Sequence, residues 1–337
     1  ERKRTLQMIH LENKSILLIS PSFFGYEKSI KQRLLEVAER VDYFDERPAN
    51  TFWSKALVRI NRNLVSCHIS QYYDSIYESI RNQVYDYVLV INVEAMPISF
   101  LEKLKKSNPC AVFLLYMWDS ILNKKNTINY LPLFDRIFSF DSEDCRRYEN
   151  ICFRPLFFLN EYAKLSHKKN YNYDFSFIGT AHSDRYALIQ RMHTQIQNLG
   201  LKSYWYLYLQ DKKLFYWNKI TNSSFAKARL HDFQYVALSK NAVLEIVGKS
   251  RIIIDIQHPD QKGLTMRVIE ILGARRKLVT TNTSIKDYEF YNKDNILIID
   301  RENPIISKEF CDTDYQPLDD CIYHKYSLDA WLEDIFQ

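Results

Sequence analysis

The sequence is poor in glycine, and this excludes two common kinds of nucleotide-binding enzyme. Only 6 of the 337 residues are glycine, whereas about 7% is usual. Their positions, 25, 179, 200, 248, 263 and 273, permit neither G-x-G-x-x-G nor G-x-x-x-x-G-K-[ST]. Both motifs need glycines so that the backbone can approach a phosphate closely. The sequence therefore argues against a dinucleotide dehydrogenase and against a P-loop NTPase.

Long apolar runs and paired cysteines are also missing. The longest apolar run, 111–118, has eight residues, whereas a membrane-spanning helix needs about 20. No apolar stretch follows the basic segment 1–4, so we expect no signal peptide. Six cysteines without a C-x-x-C pair are then expected to be reduced thiols in a cytoplasmic protein.

Strong charge of either sign is absent as well. The chain has 46 Lys and Arg against 41 Asp and Glu, a net charge of +5. This charge is too weak and too dispersed to predict nucleic-acid binding. It is compatible with phosphorylated ligands or with the anionic inner face of a membrane.

Strands and helices are predicted to alternate along the chain. In the first part the hydrophobic pattern predicts strands at 15–21, 41–44, 85–93, 111–117 and 136–140, and helices at 26–41, 52–66, 72–83 and 98–106. In the second part it predicts strands at 173–178, 203–209, 233–238, 251–256, 277–281 and 295–299, and helices at 183–199, 240–247, 264–272, 284–291 and 327–336. Continuous apolar strands alternating with helices indicate parallel sheets covered on both faces.

A polar stretch divides the two series. The sequence predicts an α/β protein with an N-terminal Rossmann-like domain at 1–158, a linker at 159–172, a second Rossmann-like domain at 173–325 and a C-terminal helix at 326–337. Ligands of such sheets bind at the carboxyl ends of the strands. We therefore expect the two doubly wound domains to face a cleft that holds the ligands.

The most informative segment is a strand, a loop and a helix at 250–274. Gly263 precedes the helix N-terminus, where free N–H groups and the helix dipole favour a phosphate. Arg267 and Glu270 share one helix face because they lie three residues apart. Glu270 can accept hydrogen bonds from a ribose diol, and Arg267 can reach a phosphate or hold Glu270. The ordinary alternative is an exposed ion pair on a capped helix.

This segment resembles a known family. The text G-L-T-M-R-V-I-E-I-L-G-A at 263–274, followed by the strand 277–281, is similar to the nucleotide-sugar segment of glycosyltransferases with the GT-B fold. The nearest likeness is to CgeB-like and family-1-type transferases of bacterial surface polysaccharide and lipopolysaccharide synthesis. Similar text occurs at 177–180, 154–156 and 326–331. The resemblance covers most of the second domain and is only architectural in the first.

The resemblance implies roles for several residues. In that family the glutamate at the position of Glu270 binds the donor ribose, and the preceding loop, here with Gly263 and Thr265, faces the diphosphate. Retaining members often carry E-x7-E, but Lys262 occupies the position of the first glutamate. Retention or inversion therefore stays open. Lys262 is either a counter-charge for the leaving diphosphate or a solvated loop residue.

A second donor-binding candidate follows the strand at 173–178. Gly179, Thr180 and Arg185 can meet donor phosphates, and Ser183 is predicted to cap the next helix. The alternative is a capped helix in which Gly179 serves tight packing. His258 ends the neighbouring strand and is expected at the same edge, whereas we interpret Asp255 inside that strand as a structural carboxylate.

Acids at strand ends of the first domain are candidates for a catalytic base. Asp119 is the first choice and Glu94 the second, because a carboxylate can activate an acceptor hydroxyl. Trp118 beside Asp119 can stack on an acceptor sugar. Asp141 also ends a strand. Each acid can equally be a helix cap or a loop residue, and a retaining enzyme needs no such base.

Two further segments are interpreted as not belonging to the site. Asp312 and Asp314 form D-x-D, but no strand leads into them, so we interpret them as loop residues and expect no metal. The run 212–220 mixes lysines with aromatic residues. Core packing is its ordinary interpretation, and a membrane surface is the alternative.

The sequence as a whole predicts a glycosyltransferase. It would move a sugar from a nucleotide diphosphate donor to a hydroxyl of a bacterial surface glycan or a lipid-linked glycan, without a metal or other cofactor. We expect it in the cytoplasm, at the inner face of the membrane. The alternatives are a non-catalytic nucleotide-sugar binding module and a GT-B nucleotide-sugar epimerase or hydrolase.

Overall fold

The computed structural model describes residues 11–47, 62–167, 170–259 and 263–337, without the side chains of 62–66. The chain divides into two compact units. The first contains the residues up to Pro155 together with Asp329–Gln337, and the second is Leu156–Leu328.

A parallel six-stranded sheet forms the centre of the first unit. Its strands are β1 (Ser15–Ser20), β2 (Arg40–Asp45), β3 (Tyr87–Ile91), β4 (Val112–Met117), β5 (Arg136–Ser139) and β6 (Ile151–Phe153), in the spatial order β2-β1-β3-β4-β5-β6. The helices are α1 (Tyr26–Leu35), α2 (Arg62–Ile80), α3 (Ile98–Ser107) and α4 (Ser142–Arg147), with 3-10 turns at Lys125–Asn129 and Leu131–Leu133. β1, β3 and β4 are almost completely buried, as expected for apolar strands covered on both faces.

The second unit holds a parallel five-stranded sheet. Its strands are β7 (Tyr173–Thr180), β8 (Ser203–Tyr208), β9 (Ser250–Asp255), β10 (Lys277–Thr280) and β11 (Ile296–Ile298), in the order β11-β10-β9-β7-β8. The helices are α5 (Asn160–Ala163), α6 (Arg185–Asn198), α7 (Lys212–Thr221), α8 (Lys240–Gly248), α9 (Met266–Gly273), α10 (Lys308–Asp312) and α11 (Asp320–Lys325). Four 3-10 turns lie at Lys164–His167, Ser223–Phe225, Leu230–Asp232 and Thr283–Asp287.

The last helix, α12 (Leu328–Phe336), packs against the first unit. Trp331 is fully buried and meets the ring of Tyr116 edge-on, with centroids 4.8 Å apart. Arg33 Nε donates to Asp329 Oδ1 at 2.6 Å. Apolar side chains at 331, 332, 335 and 336 are all buried, so the helix contributes one complete face to this core.

The predicted linker is structured in part. Within 159–172, α5 and the turn Lys164–His167 are ordered parts of the second unit, and Tyr162 and Leu165 are buried. On α9, a Cβ at Gly273 would lie 2.5 Å from Phe158 Cγ. Gly273 therefore allows α9 to approach the segment at Phe158 closely.

Several predicted elements differ from the structure, and the helix predicted at 26–41 ends already at Leu35. The predicted helices 52–66 and 72–83 form one helix from Arg62 onward, because apolar side chains at 69, 73, 76 and 80 continue a single face; residues 52–61 lie outside the described part. The segment 233–238 is not a strand, since only Gln234 bridges to Tyr208, the last residue of β8. Residues 284–291 form only a 3-10 turn, which Asn282 opens by accepting from Ser284 N.

The predicted C-terminal glycine of α6 is confirmed. Gly200 has φ +72°, a left-handed conformation that glycine adopts without strain. Gly200 N donates to Gln197 O at 2.9 Å, which satisfies one carbonyl of the last helical turn.

Candidate functional site

The candidate donor residues lie at the carboxyl edge of the second sheet. β7 and β9 are neighbours and run parallel, so the loops that follow them leave the sheet at the same edge. Thr180 is the last residue of β7 and Arg185 follows it, whereas His258, Gly263 and Thr265 follow β9. Lys262 lies outside the described residues.

Arg185 joins the two strand ends. Its Nε donates to Ile256 O at 2.7 Å and its Nη1 donates to Thr180 O at 2.9 Å. A Cβ at Gly179 would lie 2.7 Å from Phe177 Cζ and 3.4 Å from Arg185 Nη1. Glycine at 179 therefore leaves room for this arrangement. The Arg185 guanidinium therefore links the ends of the two strands. The sequence predicted a contact between Arg185 and a donor phosphate, but not this link.

The predicted cap at Ser183 is wrong. Ser183 has φ +52° and precedes the N-cap residue, Asp184. Its hydroxyl lies 3.0 Å from His182 Nδ1, and its carbonyl accepts from Asn222 Nδ2 at 2.9 Å. The carboxylate of Asp184 accepts from Arg301 Nη1 at 2.7 and 2.8 Å. The turn therefore places Asp184 rather than Ser183 at the helix start, and no sequence pattern pointed to Arg301.

Thr265 forms the N-cap of α9. Its Oγ1 accepts from Val268 N at 3.3 Å and donates to Asp255 Oδ1 at 3.1 Å. Asp255 is buried, and burial raises the pKa of its carboxyl, while nearby Arg185 acts in the opposite direction. This contact fixes the helix start to the end of β9. Gly263, just before it, is buried at the same edge.

Arg267 and Glu270 form a pair in which Glu270 is buried and Arg267 is partly buried, rather than an exposed pair. Arg267 Nη1 donates to Glu270 Oε2 at 2.7 Å, and Glu270 is only 7% exposed. The Tyr162 hydroxyl is near both side chains; burial raises its pKa, Glu270 adds to the rise and Arg267 opposes it. A buried and hydrogen-bonded charge pair has a fixed geometry. Tyr162 was missed because it belongs to the stretch that the sequence assigned to a linker.

Two histidines lie close together at this edge. The rings of His182 and His258 are 5.3 Å apart between centroids. Burial, with Arg185 and His258 nearby, lowers the pKa of His182 to about 4. His182 is therefore neutral near pH 7 and offers a hydrogen-bonding ring rather than a charge.

The carboxyl edge of the first sheet carries the candidate base. Asn92, with φ +55°, follows β3, and its side chain contacts the residues that follow β4. Its Oδ1 accepts from Trp118 N at 3.0 Å and from Asp119 N at 3.3 Å. Its Nδ2 donates to Asp119 Oδ2 at 3.0 Å. Asn92 therefore orients Asp119, a role the sequence did not reveal because it depends on strand pairing.

The two candidate acids differ in their surroundings. Asp119 is partly buried, and burial raises its pKa, while Lys124 and Arg47 act to lower it. Glu94 instead forms an ion pair with Lys124 Nζ at 2.7 Å. A raised pKa favours proton acceptance by Asp119 at neutral pH, whereas the Glu94 carboxylate is held by Lys124.

Aromatic rings lie beside Asp119. The ring of Trp118 is 5.6 Å from that of Phe23, which meets the exposed Phe24 edge-on at 4.8 Å. Phe24 has φ +48° and Gly25 has φ +80°. This turn after β1 therefore places aromatic rings at the same edge of the sheet as the candidate base after β4. Aromatic surfaces of this kind are typical of ligand pockets.

Glu46 is a buried carboxyl that the sequence analysis missed. It follows β2 and is completely buried. Its Oε1 accepts from the backbone N–H groups of Glu94, Ala95 and Met96 at 2.8, 2.6 and 2.9 Å. Burial raises the pKa of Glu46 to about 7, although these hydrogen bonds act against the shift. Glu46 thus holds the loop that carries Glu94.

The remaining candidate acids have structural positions. Asp141 is the N-cap of α4, and its Oδ1 accepts from Glu143 N at 3.0 Å. Asp312 is the last residue of α10, and Asp314 lies in the following loop. Asp141 therefore has the alternative role of a cap. Asp314 is a loop residue as predicted, whereas the loop prediction for Asp312 is wrong because the helix capped by Ser307 extends through it.

Comparisons with solved structures define the fold. The apo form of the lipopolysaccharide outer core galactosyltransferase WaaB is 10% identical, covers 96% of this chain and 99% of its own, and has a TM-score of 0.52. HepE from Anabaena, in complex with UDP and glucose, is 9% identical, covers 96% and 98%, and scores 0.54. The UDP-GlcNAc 2-epimerase from Methanocaldococcus jannaschii is 8% identical, covers 96% and 99%, and scores 0.52.

This likeness extends over nearly the whole chain. Two parallel sheets with helices on both faces, together with these neighbours, identify the GT-B fold with two Rossmann-like domains, as the sequence predicts. No protein-family model matches the sequence, and no curated protein matches it. Among the residues that the structure describes, no helix is long and apolar enough to cross a membrane.

Proposed function

We propose that the protein is a glycosyltransferase that moves a sugar from a nucleotide diphosphate donor to a hydroxyl of a bacterial surface glycan. The observation that carries this proposal is the buried Glu270 carboxylate, paired with Arg267 near Tyr162, together with Gly263 and the capped N-terminus of α9. A fixed carboxylate suits a ribose diol, and a helix N-terminus suits a phosphate.

The donor is expected to bind the second unit without a metal ion. The backbone N–H groups at the start of α9 supply partial positive charge, and Arg267 adds a cation beside Glu270. Lys262, which precedes Gly263 in the sequence, is a further candidate counter-charge for the leaving diphosphate. Such preorganised groups stabilise the charge that develops on a leaving group. Sugar transfer is therefore expected to continue in excess EDTA.

The acceptor is expected to bind the first unit. Trp118 and Phe23 offer ring faces for a sugar, and Asp119 is the proposed general base. Asn92 donates to Asp119 Oδ2, which leaves Oδ1 as the candidate atom to take the proton of the acceptor hydroxyl. As the deprotonated acceptor oxygen attacks the anomeric carbon of the donor sugar, the bond from that carbon to the diphosphate breaks and the nucleoside diphosphate leaves.

A thermal-shift panel of nucleotide sugars tests the donor assignment. A ligand that binds only the native state raises the melting temperature, so a nucleotide diphosphate sugar should raise it more than the free sugar does. Donor turnover is then measured with and without glycan acceptors. Acceptor-dependent release of the nucleoside diphosphate supports a transferase, whereas acceptor-independent turnover supports an epimerase or a hydrolase. Binding without turnover supports a non-catalytic module.

The proposed setting is the cytoplasmic face of the membrane, where lipid-linked glycans are extended. The mild positive charge supports this setting, because anionic lipids attract basic surfaces.

A further inference from the structure

Helix α7 carries large apolar side chains on its outer face. Tyr216, Trp217 and Ile220 are 58%, 66% and 85% exposed, whereas Phe215 is buried. At about 100° per residue, positions 216, 217 and 220 fall within one arc of the helix. Core packing therefore holds for Phe215, whose ring lies 5.6 Å from that of Phe233, but it is wrong for Tyr216 and Trp217.

Lysines share this outer face. Lys212 and Lys213, in the first turn of α7, are exposed, and the same helical geometry places them in the arc of the apolar side chains. We call Lys212, Lys213, Tyr216, Trp217 and Ile220 the aromatic–lysine face. Between Asp211 and Asp232 the sequence contains five cationic residues and no acidic one. The face is therefore both apolar and positively charged.

This combination distinguishes between two kinds of occupant. The core of a protein–protein interface is depleted in lysine. Helices that lie in a membrane interface instead combine Trp and other large apolar residues with Lys and Arg. Trp and Tyr favour the headgroup level, and lysines gain energy near anionic lipids. The composition of the face therefore favours a lipid surface over a protein partner.

We propose that the aromatic–lysine face docks on the surface of an anionic lipid bilayer. Trp217, Tyr216 and Ile220 enter the headgroup region, and Lys212 and Lys213 meet lipid phosphates. α7 has 10 residues, so it can lie along the interface but is too short to span it. The inference specifies the surface for the membrane setting of the proposed function, and its test is independent of sugar transfer.

Vesicle co-sedimentation of the full chain tests the proposal. Vesicles of phosphatidylcholine mixed with phosphatidylglycerol should bind the protein, and vesicles of phosphatidylcholine alone should bind it more weakly. Replacing Trp217 and Ile220 together with serine should lower the partition coefficient roughly tenfold or more, because it removes buried apolar area. Replacing Lys212 and Lys213 with glutamine should lower the partition coefficient about tenfold or more on the anionic vesicles, but not on vesicles of phosphatidylcholine alone.

Val84→Ser is the matched control. Val84 is a 73% exposed aliphatic residue in the first unit, so its replacement removes a similar exposed group away from α7. Its partition coefficient should equal that of the unmodified protein. Because all substituted side chains are exposed, each variant should also keep its melting temperature and its affinity for nucleotides. Loss of nucleotide affinity in the α7 variants would mean that the effect is a folding defect and would overturn the proposal.

Two other results would overturn it. One is a failure of the vesicle test: the unmodified protein does not sediment with anionic vesicles, or the α7 variants sediment as well as the unmodified protein does. The other is a dimer in light scattering that the Trp217 and Ile220 substitutions convert to a monomer, without any vesicle binding. In that case a second copy of the chain occupies the face. Failure of sugar transfer would leave the vesicle result unchanged, so the two proposals can fail separately.

Discussion

The two sheet edges hold their charged groups in different ways. In the second unit, Arg267 and Glu270 are paired with each other near Tyr162, and Arg185 donates to backbone carbonyls. In the first unit, Asp119 is partly buried and receives a hydrogen bond from a neutral amide, Asn92. Paired charges suit binding, whose geometry must stay fixed, whereas a carboxylate with a raised pKa suits proton transfer.

The largest expected effect concerns the first edge. Asp119→Asn keeps the shape and removes the basicity, so it should lower kcat by about 10²–10⁴. Nucleotide affinity should stay unchanged, because the proposed donor site lies in the second unit. In the unmodified protein kcat should fall as the pH drops through the raised pKa of Asp119, because the protonated acid cannot act as a base. Steady-state kinetics and calorimetry measure the two quantities.

Glu94→Gln is the comparison for that experiment. Glu94 is paired with Lys124, so its replacement should affect kcat less. A near-normal rate for Asp119→Asn, or a larger loss for Glu94→Gln, would show that Asp119 is not the base. The first result would favour a retaining mechanism, and the second would favour Glu94.

Glu46 should make the stability of the first unit depend on pH. Its folded pKa is about 7, raised from an ordinary value of 4.5, so between these values the folded protein holds a proton that the unfolded chain has released. The free energy of unfolding should therefore fall as the pH rises through this window, by about 3 kcal/mol in total. Glu46→Gln keeps the accepting oxygen and should remove this decline, as measured by denaturant unfolding at several pH values.

The matched control is Glu78→Gln, because Glu78 is exposed in the same unit and is paired with Arg81. That variant should show the same decline as the unmodified protein. A decline that persists in Glu46→Gln would contradict the assignment of a raised pKa to this carboxyl.

The smallest expected effect concerns the second edge. Tyr162→Phe removes one hydroxyl from the Arg267–Glu270 pair and should weaken nucleotide binding by about 1 kcal/mol. Tyr206→Phe removes a hydroxyl that donates to Val236 O at 2.6 Å in an exposed position of the same unit, and should leave binding unchanged. Equal affinities in a calorimetric titration of both variants would argue against a role for Tyr162 in holding the pair.

The sequence predicted one edge better than the other. Gly263, Thr265, Arg267 and Glu270 lie within one short segment, so helical spacing was enough to bring them together. Tyr162, Asn92 and Glu46 reach their partners only through packing and strand order, which no local pattern encodes. Ser183 failed as a cap because the chain takes a left-handed turn there, which is uncommon for serine.

Both sheets were predicted for the same reason. Continuous apolar strands that alternate with helices are typical of a parallel sheet covered on both faces. Elements at the periphery were harder, as with 233–238, where a strand-like pattern passes the end of β8 without pairing along it. The same limit applies to α7, because a segment in which three aromatic residues follow one another does not reveal from sequence which ring is buried.

Glu270 is proposed to bind the ribose of a nucleotide diphosphate donor. The most direct test is a calorimetric titration of the nucleotide sugar that gives the largest thermal shift, into the unmodified protein and into Glu270→Ala. The control is Glu245→Ala, which changes an exposed glutamate of the same unit. We expect Glu270→Ala to weaken binding by about 1.5–3 kcal/mol, the scale of hydrogen bonds to a charged group, and Glu245→Ala to have no effect. Equal affinity of all three proteins, with Glu270→Ala still folded, would contradict it.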